Sequence, residues 1–269
     1  MDLTKDLKFP RFFIQSVPGV GGKSVITGGD AKHISLALRM REGERVVLCC
    51  GDGFDYPSEI VLINKNSVEL TVLARRKNDS EPKTCLRLFQ CVPKGEKLDF
   101  IVQKATELGV SEIIPVISRR CISRPGKSEK QDKNNTKIKR LQKISEAAAK
   151  QSGRGKIPII HEFTNFNDAL KLYKKENTGI IFYENGGKRI NDILSAETKL
   201  EAVPQKTSDR SEALPIDIFI GSEGGFEFAE IEAAKEAGLI PASLGKLILR
   251  TETAPITAIS ILMNLTGEL

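Results

Sequence analysis

At 269 residues, 40% of them apolar, the chain can bury a sizeable core, and two domains are expected. No apolar run reaches the length of a membrane span, and MDLTKDLKF at the N-terminus is charged where a secretion signal needs an apolar core. A cytoplasmic protein with no membrane partner is therefore expected. Five cysteines, with Cys49 and Cys50 adjacent and no CxxC pair, fit neither a disulfide framework nor a zinc site, so reduced thiols and no metal are expected.

From Phe9 to Leu73 the pattern is of short strands between glycine-rich turns: Arg11 to Gln15, Arg45 to Cys50, Ile60 to Ile63 and Val68 to Leu73, with one helix from Asp30 to Leu38. Such spacing predicts a small barrel. VPGVGGKSV ends like a phosphate-binding loop, but Val17 stands where its first glycine must be, which excludes nucleotide hydrolysis. His33 and His161 are the two histidines, neither beside a serine and carboxylate pattern, so histidine-based nucleophilic catalysis is excluded.

The polar run Asn78 to Thr84 predicts a linker. Beyond it, strands at Cys85 to Val92, Val110 to Ile117, Ile157 to Ile160, Gly179 to Tyr183, Ile216 to Ile220 and Leu247 to Leu249 alternate with helical patterns. Those helices fall at Leu98 to Leu108, Ile138 to Gln151, Phe166 to Lys175 and Glu227 to Ala237. Alternation of this kind predicts an α/β domain with a mainly parallel sheet. Ser195 to Pro215 reads as an exposed insertion. Charge is localised as well: Arg119 to Lys156 holds thirteen Lys or Arg against three acids, while the whole chain carries a net +6. A cationic patch on an otherwise mildly acidic protein points to a polyanion partner, although SEKQDKNNTKIKR alone is equally readable as a solvated loop.

The last fifth carries the sharpest signal. IDIFIGSEGGFEFAEIEAA reads as strand, tight turn and helix, and ASLGKLILRTETAPITAISIL reads the same way, with the second helix opening near Pro255. Loops after parallel strands share one rim, where open α/β sheets bind ligands.

FIGSEGGF followed by LGKLILRTETAPITAI, together with KGEKLDFIVQKATELGVSEIIPVISRRC and SEAAAKQSGRGKIPII, resembles the ordered blocks of the RsmE family. These are SPOUT-superfamily enzymes that methylate N3 of a uridine in 16S ribosomal RNA of the small subunit. The blocks span most of the chain beyond Cys85. Two departures are Ser222, where the family has proline, and Pro255, where a small residue usually follows TETA.

The resemblance implies a PUA-like β-barrel RNA-binding domain over 1–78 and a SPOUT domain over 85–269 with a trefoil knot. It also implies S-adenosyl-L-methionine as cofactor and a homodimer with sites at the subunit contact, with the apolar helix Ile256 to Leu265 as the interface. The cofactor positions carried over are Glu184, Ile220, Gly221, Glu223, Gly224, Gly225, Leu244, Gly245, Leu247, Leu249, Arg250, Thr251, Thr253 and Ala254. The RNA contacts carried over are Arg11, Arg119, Arg120, Arg124, Glu146, Gln151 and Arg154, with the assembled small subunit as the expected partner.

A sulfonium methyl donor is already activated, so alignment, worth about 7–11 kcal/mol, outweighs an acid or base worth about 10² to 10⁴-fold. Attack by uracil N3 requires loss of its proton, and a guanidinium would stabilise the anion. Arg250 is the first candidate, and Glu223 or Glu252 could accept the proton. The plainer reading of Arg250 and Glu252 is an ion pair that shapes the loop. Two other functions remain open from the sequence: a SPOUT methyltransferase acting on another RNA such as tRNA, and a non-catalytic RNA-binding ribosome-assembly factor. The second leaves both glycine turns unexplained.

Overall fold

The computed structural model describes residues 9–122, 131–200 and 215–269. Two compact units divide the chain, one formed by Met1–Glu81 with Ala149–Ile157, the other by Pro82–Ala148 with Pro158–Leu269.

The first unit holds β1 (Arg11–Phe13), β2 (Lys23–Thr27), β3 (Arg45–Cys49), β4 (Phe54–Ile63), β5 (Ser67–Val72) and β6 (Arg76–Lys77). They join in the order β1-β3-β4-β5-β2, with β6 on β4, and only β1 with β3 is parallel. Burial alternates along β2 and β5, as a sheet with one face on a core requires. That core centres on Phe12, Ile34, Leu48, Ile60 and Leu70. The helix α1 (Gly28–Lys32) runs directly into a π-turn over His33–Ala37. The expected strands at β1, β3 and β5 are present, but β4 starts at Phe54 rather than Ile60, because Pro57 and its polar neighbours mask the pattern. KSVIT, which was not among the expected strands, is β2.

Arg11 is buried in this unit, contrary to the expectation of an RNA contact. Its guanidinium grips both Asp55 oxygens, Nη2 to Oδ2 at 2.8 Å, and lies 2.9 Å from Cys49 Sγ. Burial pushes the Cys49 thiol up to about 12. Arg154, only 3% exposed, is likewise an internal residue: it donates to Glu81 at 2.7 Å, and the same carboxylate accepts the amides of Gly155 and Lys156. Asn78 donates to Asp55 at 2.8 Å and to the Gly153 carbonyl at 3.1 Å. The polar run expected as a linker therefore spends its side chains on internal bonds.

The second unit begins with β7 (Leu86–Cys91), α2 (Lys97–Glu107), β8 (Glu112–Ile117), α3 (Gln131–Ser152), β9 (Ile159–Ile160), β10 (Thr164–Asn165) and α4 (Phe166–Leu172). It continues with β11 (Thr178–Phe182), α5 (Ile190–Leu200), β12 (Ile216–Ile220), α6 (Phe228–Ala237), β13 (Ile240–Ala242) and α7 (Thr253–Leu265). The strand order is β10-β8-β7-β12-β11-β13, with β9 on β8, and every pairing is parallel. Every residue of β7, β11 and β12 is buried, as in a sheet covered on both faces. Arg87 and Asp217, opposite each other on β7 and β12, form a buried ion pair at 2.7 Å, which Asn177 supports at 3.2 Å.

Four expectations change here. Leu247 to Leu249 is not a strand: Leu247 and Ile248 are 81% and 88% exposed, and the edge strand is β13, seven residues earlier. Pro241 is tolerated there because an edge strand has one unpaired side. Residues 195–200 of the expected insertion belong to α5, and 201–214 lie outside the described residues. The last helix starts at Thr253, with Pro255 in its first turn, where a missing N–H costs nothing. Of the expected interface helix, Ala258, Ile259, Leu262 and Met263 are instead buried in this unit's own core.

Among the described residues no helix is long and apolar enough to cross a membrane, and no cluster of His, Cys, Asp and Glu could hold a metal ion. All five cysteines are free.

Candidate active site

The C-terminal ends of β11, β12 and β13 lie side by side, and the chain leaving each becomes one wall of a cavity of about 450 Å³. That size suits a small-molecule site, and the rim of a parallel sheet is where such sites form. Phe182, Tyr183 and Glu184 leave β11; Ile220 to Glu223 and Gly225 leave β12; Ser243 to Thr251 and Ala254 follow β13. Lys97, the first residue of α2, completes the lining.

The first bend is tied down at nearly every residue. Gly225 donates to the Ser222 carbonyl at 2.9 Å, Thr251 Oγ1 to the Gly221 carbonyl at 3.0 Å, and Arg120 Nη1 to the Gly224 carbonyl at 3.0 Å. Its glycines are required. Gly225 has φ +65°, and a Cβ there would sit 2.6 Å from Glu184 Oε1; one on Gly221 would meet Gly225 Cα at 3.0 Å. The capping box of Glu227 and Glu230 starts α6, and Glu230 also accepts the Arg119 amide at 2.9 Å. This brings Arg119 and Arg120 to the bend.

Three charges join the bends. Lys97 Nζ lies 3.0 Å from Glu223 Oε1 and 3.1 Å from Glu252 Oε2, and the Lys94 amide donates to Glu223 at 3.2 Å. Burial works to raise the Glu223 carboxyl, but its own backbone amide and Lys97 bring it below the ordinary value. The Glu252 carboxyl is lowered by its own backbone amide against a smaller burial effect, then by Lys97 and Arg250, and both carboxylates in turn raise the Lys97 ammonium. Carboxylates held this way are weaker proton acceptors than a free Glu side chain, which counts against the role expected for Glu223 and Glu252. Arg250 is exposed at the cavity, and its guanidinium makes no hydrogen bond among the described residues. The expected Arg250–Glu252 shaping pair is thus a Lys97–Glu252 pair.

Of the expected cofactor positions, Glu184, Ile220, Gly221, Glu223, Gly225, Leu244, Gly245, Leu247, Leu249, Arg250, Thr251 and Ala254 line the cavity. Gly224 and Thr253 stand just outside it. A Cβ on Gly224 would meet Arg120 Cβ at 2.9 Å, and the Thr253 amide donates to the Arg250 carbonyl at 2.9 Å. Phe182, Tyr183, Ser222, Lys246 and Ile248 line the cavity as well, beside expected positions, and Lys97 and Ser243 were missed. Lys97 sits far upstream in a helical pattern, while Ser243 precedes Leu244 and caps Gly245 through its hydroxyl at 3.2 Å. Of the expected RNA contacts, Arg119, Arg120 and Gln151 are exposed and Glu146 is half-buried, whereas Arg124 lies outside the described residues.

Residues 80–263 match the model of the RNA methyltransferase domain family, and 26–73 match that of the RNA methyltransferase PUA domain. The chain is 31% identical over 235 residues to ribosomal RNA small subunit methyltransferase E of Bacillus subtilis strain 168, covering 87% of each chain. Against the protein of that name from Buchnera aphidicola subsp. Schizaphis graminum it is 30% identical over 268 residues, 97% of this chain and 98% of the relative. Among solved structures it is similar to a ribosomal RNA small subunit methyltransferase E from Neisseria gonorrhoeae bound to S-adenosyl methionine. That likeness has a TM-score of 0.81 at 30% identity, across 96% of this chain and 98% of the other. With two bends enclosing one cavity at the rim of a parallel sheet, and relatives matching along nearly its whole length, the chain belongs to the RsmE family of RNA methyltransferases, with a PUA-type N-terminal domain.

Proposed function

We propose that this protein transfers the methyl group of S-adenosylmethionine to N3 of a uridine in 16S ribosomal RNA of the small subunit. The observation that carries this reading is the cavity between the two bends, in a chain of this family. Gly221 and Gly225 let the bend close tightly on itself and on Glu184, where a Cβ would collide, and the cavity beside it has the volume of a small-molecule site. The residues present fit the donor. Its part, when bound, is to supply an activated methyl group.

The protein's own task is alignment and charge. Backbone groups of both bends hold and orient the donor. Arg250, exposed at the cavity, stabilises the uracil anion whose charge spreads onto two carbonyl oxygens. Arg120, anchored on the Gly224 carbonyl, is the next candidate for that role. Because Glu223 and Glu252 are engaged by Lys97, Glu184 is the cavity carboxylate left to accept a proton.

RNA docking is assigned to residues 1–78 and the basic stretch, including Arg119, Arg120, Arg124, Glu146 and Gln151, and methyl transfer to residues 85–269. The trefoil knot is part of the proposal and rests on the family match over residues 80–263. So is a homodimer, supported by the exposed Leu247 and Ile248 beside the cavity.

The test is labelled methyl transfer to small ribosomal subunits from cells lacking this protein, with the modified nucleotide mapped by mass spectrometry. N3-methyluridine in 16S RNA is the expected product. Label on tRNA instead would overturn the substrate, and donor binding without transfer to either RNA would overturn the activity.

A further inference from the structure

Lys97 stands where helix electrostatics disfavour it. A cation at the first position of α2 faces the positive end of the helix dipole, yet its ammonium carries two carboxylates from segments far along the chain. Glu223 comes from the bend after β12 and Glu252 from the turn before α7, so one nitrogen spans both walls of the cavity. The Lys94 amide adds a second hold on Glu223 from the same loop. Two carboxylates within about 3 Å of one nitrogen lie within roughly 6 Å of each other, close enough to repel once the cation is gone.

We infer that Lys97 is a positioning residue that clasps the two cavity bends together, setting their separation for the methyl donor through Glu223 and Glu252. This deepens the methyl-transfer reading and rests on it. The neighbouring charges fit the role. Glu223 and Glu252 are held below the ordinary carboxylate range, so the clasp stays ionised at neutral pH.

The test is calorimetric titration of S-adenosylmethionine into the full chain, beside kcat and thermal midpoint. K97M weakens donor binding roughly tenfold with the midpoint shifted by no more than about 2 °C, since a half-exposed surface lysine contributes little to folding. K97R recovers most of the loss, because a guanidinium can bridge the same two carboxylates. Adding E223Q and E252Q to K97M also recovers binding, because the repulsion is gone; a lysine that acted only by packing its stem would leave that triple variant as weak as K97M. K97M binding within about twofold of the wild type overturns the clasp alone, as does a triple variant with no recovery. A wild-type chain that binds no donor overturns the methyl-transfer reading and the clasp with it.

Discussion

The two bends that enclose the cavity differ in how they are built. Gly221 to Gly225 is closed by its own Gly225–Ser222 bond and by side chains from three other parts of the chain: Thr251, Arg120 and Lys97. Among the described residues, Ser243 to Thr251 is tied only at its two ends, by the Ser243 amide on the Lys188 carbonyl and the Ser243 hydroxyl on Gly245 at one and by the Thr251 hydroxyl and the Lys97 hold on neighbouring Glu252 at the other. Its middle carries Leu247 and Ile248 into solvent. The contrast separates a preformed wall from an open one. Preformed backbone spends little ordering entropy on binding, which suits the first bend to the donor-positioning role proposed for it. The open bend presents Arg250 and two large apolar side chains, the groups suited to meeting something outside this unit.

The largest effect expected from breaking this division is chemical. Arg250→Ala loses about 10² to 10³-fold in kcat while donor affinity changes little, because in the proposed mechanism the guanidinium acts on the anion and not on the donor. Single-turnover methyl transfer beside calorimetry measures both, and unchanged turnover would remove Arg250 from the mechanism. Next comes Gly221→Val in the preformed bend. Its Cβ meets Gly225 Cα at 3.0 Å, so overpacking of about 1–3 kcal/mol falls on the donor cradle and weakens binding tenfold or more.

Thr251→Val is smaller. It keeps the shape but removes the hydroxyl bond to the Gly221 carbonyl, costing about 1 kcal/mol in urea unfolding. At the open bend, Leu247→Ser stays within about 0.5 kcal/mol by the same measurement, as its side chain is 81% exposed. Should Leu247→Ser destabilise as much as Thr251→Val, the contrast between the walls would be lost.

The smallest effect concerns pH. Glu223 and Glu252 are lowered from 4.5 in the folded chain. Their contribution is therefore complete above about that unfolded value and is lost as pH falls through the lower folded values. The thermal midpoint of E223Q/E252Q falls less steeply below pH 4.5 than that of the wild type.

Much of the fold was legible because burial on both faces of a parallel sheet imposes a simple composition. IDIFI at β12 matched its predicted bounds, and TGIIF at β11 was displaced by one residue. KLILR failed for the same reason: three apolar residues in a row look like a buried strand whether they meet a core or a ligand. The misread edge strand IPA, by contrast, is short and interrupted by Pro241. In the first unit β4 was half hidden, since its polar first half pairs through backbone groups that side-chain pattern does not report.

Composition and local pattern by themselves determined that this is an α/β chain with a basic middle and a glycine bend after the strand Ile216–Ile220, because backbone freedom and strand burial are written in residue type and spacing. Only tertiary structure decided which charges are free. Arg11 and Arg154 look like surface cations in sequence but are buried against Asp55 and Glu81, whereas Lys97, an ordinary helix lysine in sequence, reaches the cavity and two distant carboxylates. An ion pair depends on distance between segments far apart in the chain, and no local pattern carries that distance.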